Sequence, residues 1–140
     1  MKPLSVFLDS DVIVSSCLSA TGAANLLLNQ DTLIKFYTNI QVKELQIVFD
    51  RLSINSTKLT ETLQKCVQVE LKSPNLNLYS SHTTDLNDRH IVAGAVVSHT
   101  KFLISYNIKH FQAEAIKRDF GINTLTPAQF LQFLRSTGKI

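Results

Sequence analysis

Val6-Phe7-Leu8-Asp9-Ser10-Asp11 is an apolar run that ends abruptly on two acids, and its reading decides the fold. A strand that stops on carboxylates delivers them to the edge of a buried sheet, which is where α/β proteins place their chemistry. A second acidic stretch, Asp85-Leu86-Asn87-Asp88-Arg89-His90, opens a small-residue helix that leads into another apolar strand, Phe102-Leu103-Ile104-Ser105. Two acidic sites at strand edges in one short chain point to a metal-dependent or acid/base site.

Working outward, the hydrophobic period alternates between strand and helix. Leu4 to Leu8 reads as a strand, and residues 11–30 carry helical spacing with a break at Ser19-Ala20-Thr21-Gly22. A second strand is expected over Lys35 to Thr38. From Ile40 to Leu52 the residues Leu45, Val48, Phe49 and Leu52 fall on one helical face, and Ser56 is placed to cap a further helix. Ser73 to Thr84, with Pro74 and several Asn and Ser residues, reads as a surface connection. Leu86 to Ser98 is expected to be helical, Phe102 to Ser105 a strand, Gln112 to Phe120 a helix, and Thr126-Pro127 opens a last helix with Pro in its first turn. Strands alternating with helices imply α/β architecture: a central parallel sheet with helices on both faces, a Rossmann-like α/β/α sandwich.

At 140 residues and 44% hydrophobic composition the chain suits one domain, residues 1–140, with a proper core. A net charge of +3 permits a polyanionic partner without requiring one. Cys17 and Cys66 are far apart with no ligand spacing around them, which argues against a zinc site or a disulfide framework. The N-terminal residues lack the long apolar stretch of a signal peptide, and no run approaches a membrane span, so a cytoplasmic protein is expected.

Three carboxylates stand out on this frame. Asp9 ends the first strand, where, taken alone, it is better read as the cap of the following helix. Asp88 shares the inward stripe of Ile91, Val92 and Ala95 one turn earlier, and an inward carboxylate requires a cation or hydrogen-bond donors. Asp85, just outside that helix, better fits a residue that complements the helix dipole. Glu44 lies on the flank of its helix, where glutamates are usually solvated.

The order of these pieces resembles the PIN-domain family of nucleases, including the toxins of VapBC-type toxin–antitoxin pairs. The resemblance is carried by Val6-Phe7-Leu8-Asp9-Ser10-Asp11-Val12-Ile13, Ile40-Gln41-Val42-Lys43-Glu44-Leu45, Asp85-Leu86-Asn87-Asp88-Arg89-His90-Ile91-Val92-Ala93-Gly94-Ala95, Phe102-Leu103-Ile104-Ser105-Tyr106-Asn107 and Thr126-Pro127-Ala128-Gln129-Phe130-Leu131. It implies a single PIN-like domain in which Asp9, Glu44 and Asp88 are the first three family carboxylates. The usual fourth acid falls on Asn107, Ser105 takes the place of an ordering Thr or Ser, and Asp11 stands where the family often has Asn. One negative charge is lost at Asn107 and one is gained close by at Asp11.

Such a cluster suits phosphodiester hydrolysis with a divalent metal. Carboxylate oxygens are the hard ligands that Mg²⁺ and Mn²⁺ accept, and clustered acids repel by roughly 4 kcal/mol per pair at ~4 Å and an effective dielectric of 20. The resemblance therefore implies a metal-dependent ribonuclease, with Mg²⁺ or Mn²⁺ held by Asp9 and Asp88, and Glu44 positioning or deprotonating water. Arg89, Lys109 and His110 are the candidates for meeting RNA phosphates, and Tyr106 and Phe111 fit the core better than base stacking. An antitoxin is the implied protein partner, and a homodimer is compatible with the reading. Two other functions compete: a PIN-like module that binds RNA or protein without cutting, and a haloacid-dehalogenase-like phosphatase opening on Asp9-Ser10-Asp11. The latter wants a Gly and a hydroxyl residue where this chain has Val12 and Ile13.

Overall fold

Strand β1 (Ser5–Leu8) forms the middle of the sheet because its residues can be buried on both sides. Val6 and Leu8 point into one core and Phe7 into the other, and all three are fully buried. The computed structural model describes residues 3–72 and 74–140. Around β1 lie β2 (Ile34–Thr38), β3 (Val67–Val69), β4 (Phe102–Ile104) and β5 (Asn123–Leu125), in the order β3-β2-β1-β4-β5 with every pairing parallel.

Helices cover both faces. On one side α1 (Ser10–Leu18), α2 (Ala23–Leu28), α3 (Asn39–Arg51), α4 (Ser56–Leu63) and α7 (Pro127–Ser136) contribute to a core built around Val6, Leu8, Ile13, Phe49 and Phe130. On the other, α5 (Arg89–Val97) and α6 (Ala113–Phe120) pack Ile91, Val92 and Ile116 onto Phe7 and Leu103. Among the described residues no helix is long and apolar enough to cross a membrane.

Several local expectations are corrected. Leu52 is 47% exposed and Val48 only half-buried, so the core face of α3 narrows to Leu45 and Phe49, with Gln41 at its start. The cap of α4 is Asn55, whose side chain accepts from Thr57 N, and Ser56 is already helical. Helix α5 starts at Arg89, after a 3₁₀ turn over Leu86–Asp88 capped by Asp85. The stretch after Pro74 is more ordered than a surface connection: a 3₁₀ helix over Leu76–His82 buries His82 against Phe120, and His82 Nε2 lies 2.8 Å from Asp119 Oδ2. Ser73, the first residue of the expected connection, lies outside the described residues. Strands β3 and β5 have no counterpart in the sequence reading.

Candidate active site

The strand order turns back at β1, whose neighbours β2 and β4 lead toward opposite edges of the sheet, and crevices at such points bind ligands in open α/β sheets. Asp9 follows β1 there and Ser105 follows β4. Asp9 N donates to the Ile104 carbonyl at 2.9 Å, so the ladder carries Asp9 to the sheet's carboxyl edge before α1 begins. The capping role and the site role coincide: Asp9 is the N-cap of α1, its Oδ1 accepts from Ser10 N at 2.7 Å and its Oδ2 from Ser105 Oγ at 2.8 Å.

Asp9 is nine-tenths buried, and burial pushes its carboxyl up to about 7. The charge of Asp11 adds to this, Ser105 and Ser10 oppose it, and Asp88 adds a smaller upward push. Asp11 is raised as well, first by burial, while hydrogen bonds from Tyr106 and Ser105 hold it back. For Asp88 burial again leads, followed by the charge of Asp85; His110 and His90 oppose, and Glu44 adds a small upward push. Asp9, Asp11 and Asp88 thus share one electrostatic environment, and Glu44 reaches it through Asp88. Among the described residues no Lys, Arg or His forms an ion pair with Asp9 or Asp11.

The two departures from the family pattern touch each other. Asn107 Nδ2 donates to Asp11 Oδ2 at 2.9 Å, and Tyr106 N donates to the same oxygen at 3.2 Å. Ser105 Oγ accepts from Asn107 N at 2.9 Å, so its single proton turns toward Asp9, with Asp11 Oδ2 a longer 3.4 Å away. The other Asp11 oxygen, Oδ1, is buried with no hydrogen-bond partner among the described residues.

Glu44 is placed by the start of α3. Thr38 and Gln41 form a reciprocal capping box, and Gln41 Nε2 also donates to the Leu8 carbonyl at 2.8 Å and to Ser10 Oγ at 3.2 Å. This clamp ties the first turn of α3 to the end of β1, and Glu44 projects one turn further on. His90 Nε2 stands 3.1 Å from Glu44 Oε1, while His90 Nδ1 is buried without a partner among the described residues. That asymmetry favours the tautomer with the proton on Nε2, donated to Glu44. Gln41 and His90 were not singled out as site residues. The Thr38-Asn39-Ile40-Gln41 spacing is a capping-box signature that could have exposed Gln41, whereas the Glu44–His90 contact joins two separate helices and has no local signal.

The remaining candidates are spread more widely. Asp88 is half-buried beside His110, with Nδ1 3.6 Å from Oδ2. Asp85 caps Asn87 N at 2.9 Å, as its position outside the helix suggested. Arg89 donates to the Leu86 carbonyl, Asn77 Oδ1 and Ser80 Oγ, and Lys109 is exposed on a 3₁₀ turn after β4. Phe111 is core, but Tyr106 is 43% exposed, against the expectation that both would be buried.

The donor set is chemically suited to Mg²⁺ or Mn²⁺: all-oxygen, anionic, and including an unpartnered carboxylate oxygen on Asp11. Yet no group of three or more His, Cys, Asp or Glu side chains is gathered tightly enough to hold an ion among the described residues. Two carboxylates and several waters make a usual Mg²⁺ shell, so Asp9 with one neighbouring carboxylate, Asp88 or Asp11, fits such an ion without a third direct ligand.

No family model matches the sequence, and no curated protein matches it. Among solved structures, the chain is similar to one from the crystal structure of VapBC2 from Rickettsia felis bound to a DNA fragment from their promoter, with a TM-score of 0.62 and 16% identity over 88% of this chain and 98% of that one. The fold is PIN-like. The sequence resemblance implied a central parallel sheet with helices on both faces, and the structure has that architecture with five strands.

Proposed function

We propose that the protein is a metal-dependent endoribonuclease of PIN type that acts as the toxin of a toxin–antitoxin pair. The observation that carries the nuclease reading is Asp9: a buried carboxylate, crowded by Asp11 and facing no cationic side chain among the described residues. Buried charges are paired or coordinate metal, so this arrangement favours a cation. Asp9 and Asp88, with Asp11 beside them, are the residues to hold Mg²⁺ or Mn²⁺, directly or through water. A bound ion of this kind would supply an acidified water and neutralise charge building on the phosphate.

The chain's own residues do the rest. Glu44, held by His90, receives a proton from water and positions it. Ser105 fixes the Asp9 carboxylate, while Asn107 and Tyr106 N fix Asp11. Arg89, Lys109 and His110 meet phosphates of the RNA. The toxin role, with an antitoxin partner, draws support from the likeness to the VapBC2 structure.

Cleavage of a fluorogenic single-stranded RNA tests the reading. The intact protein should cut in Mg²⁺ or Mn²⁺ and stop in EDTA, and Glu44→Gln should slow cutting by roughly 10²–10⁴-fold. Undiminished cleavage in EDTA would refute it. The absence of a tighter carboxylate group favours a second reading, a PIN-like module that binds RNA or protein without cutting. RNA binding with no cleavage at any metal concentration would decide for that module. For the toxin role, expression of the chain alone should arrest growth and Asp9→Asn should relieve the arrest.

A further inference from the structure

We propose that the cleft between α3 and the turn preceding α5 is a subsite for one nucleotide of single-stranded RNA, adjoining the bond that is cut; this rests on the nuclease reading. The cleft has a volume of about 610 Å³, within the range of roughly 300–1,000 Å³ typical of small-ligand sites. Glu44 and His90, the contacting pair of the candidate site, form part of its wall. A strand lying in the cleft therefore continues into that site.

Lys43 and Arg89 also line the cleft, and neither is in an ion pair among the described residues. Arg89 is nevertheless held in place, with Nε 2.9 Å from the Leu86 carbonyl and Nη1 3.1 Å from Asn77 Oδ1 and 3.3 Å from Ser80 Oγ. All three acceptors are uncharged, so the guanidinium is oriented while its charge is left available. A fixed cation with unspent donors suits a phosphate.

The rest of the cleft suits a base. Ile40 is half-buried and Leu86 is 57% exposed, which gives apolar surface for the face of a ring. Asn87 is exposed at the same cleft, and its side-chain amide makes no hydrogen bond among the described residues, leaving a donor and an acceptor for a base edge. Lys109 and His110 do not line this cleft, so the two basic groups serve different phosphates.

The test is a titration of ¹⁵N-labelled protein in EDTA with 5′-AMP, 5′-UMP and inorganic phosphate, read at the backbone amides of Lys43, Leu86 and Asn87. EDTA removes any binding that runs through metal at the carboxylates. Both nucleotides should shift these amides and bind about tenfold more tightly than inorganic phosphate, since the base adds apolar contact. Lys43→Ala and Leu86→Ala should each weaken the nucleotides, and in RNA cleavage each should raise KM about fivefold or more with kcat changed less than about twofold, the mark of lost uniform binding. Equal binding of phosphate and nucleotides would reveal an anion site only and overturn the subsite. Metal-dependent cleavage with KM unmoved in both variants would overturn the subsite while the nuclease reading stands. Nucleotide binding without any metal-dependent cleavage by the intact protein would overturn the nuclease reading and, with it, a subsite beside a cut bond.

Discussion

Asp11 and Asn107 are the residues at which the site departs from the pattern it resembles, and the Asn107 amide lies 2.9 Å from the Asp11 carboxylate. The acid and the amide have in effect changed places across one hydrogen bond. Asn107→Asp should set two carboxylates against each other, lower the stability of the metal-free protein and tighten metal binding. Asp11→Asn should weaken metal binding, and the double exchange should recover part of the loss because it restores one acid and one amide. RNA cleavage against metal concentration for the four variants measures this, and strict additivity would refute compensation. Asp9 supports a second prediction. Its carboxyl sits near 7 in the folded protein, chiefly through burial, against about 3.9 in an unfolded chain. Between those values the folded state holds the extra proton, so stability falls as pH rises through that window and is lowest above it, by at most a few kcal/mol. Asp9→Asn should therefore raise the melting temperature in EDTA at pH 8 and do so much less at pH 4. Equal gains at both pH values would show that Asp9 ionises normally.

At the scale of elements, the site depends on how closely α5 lies against β1 and β2. A Cβ at Gly94 would run into the Phe7 ring and come within 2.7 Å of Thr38 Cγ2, both in fully buried residues. Gly94→Ala gains helix propensity but overpacks this contact, with a net loss of about 1–3 kcal/mol expected. Urea unfolding should show a lower midpoint with an unchanged slope; an unchanged midpoint would mean that α5 can move away from the sheet. Sequence signals served well where an element carries its own chemistry. Thr126-Pro127 announced α7, whose capping box with Gln129 is present, and the break at Ser19 to Gly22 separates α1 from α2. They failed for β3 and β5. Val67-Gln68-Val69 is a three-residue edge strand with its first two residues exposed, and Asn123-Thr124-Leu125 is as short and half-buried throughout, so neither forms the buried apolar run that marked β1 and β4.

At the scale of the whole molecule, a cation bound at the carboxyl edge should stabilise the fold by mass action, about 2.7 kcal/mol at a hundredfold excess over Kd. Millimolar Mg²⁺ or Mn²⁺ should raise the melting temperature of the intact protein, and Asp88→Asn should blunt the rise. A melting temperature indifferent to metal would favour the binding module. The sequence by itself determined the α/β class, because strand and helix periods are local and each apolar run must be covered. It also placed Asp9 at the end of β1, since a charged side chain terminates a strand buried on both faces. The contacts of Glu44 with His90 and of Asp11 with Asn107 were decided only by the tertiary structure, through the parallel order β3-β2-β1-β4-β5 that brings distant loops to one edge. Burial is likewise collective: the upward push on Asp9 comes first from the loss of water around it, which no residue's own identity specifies.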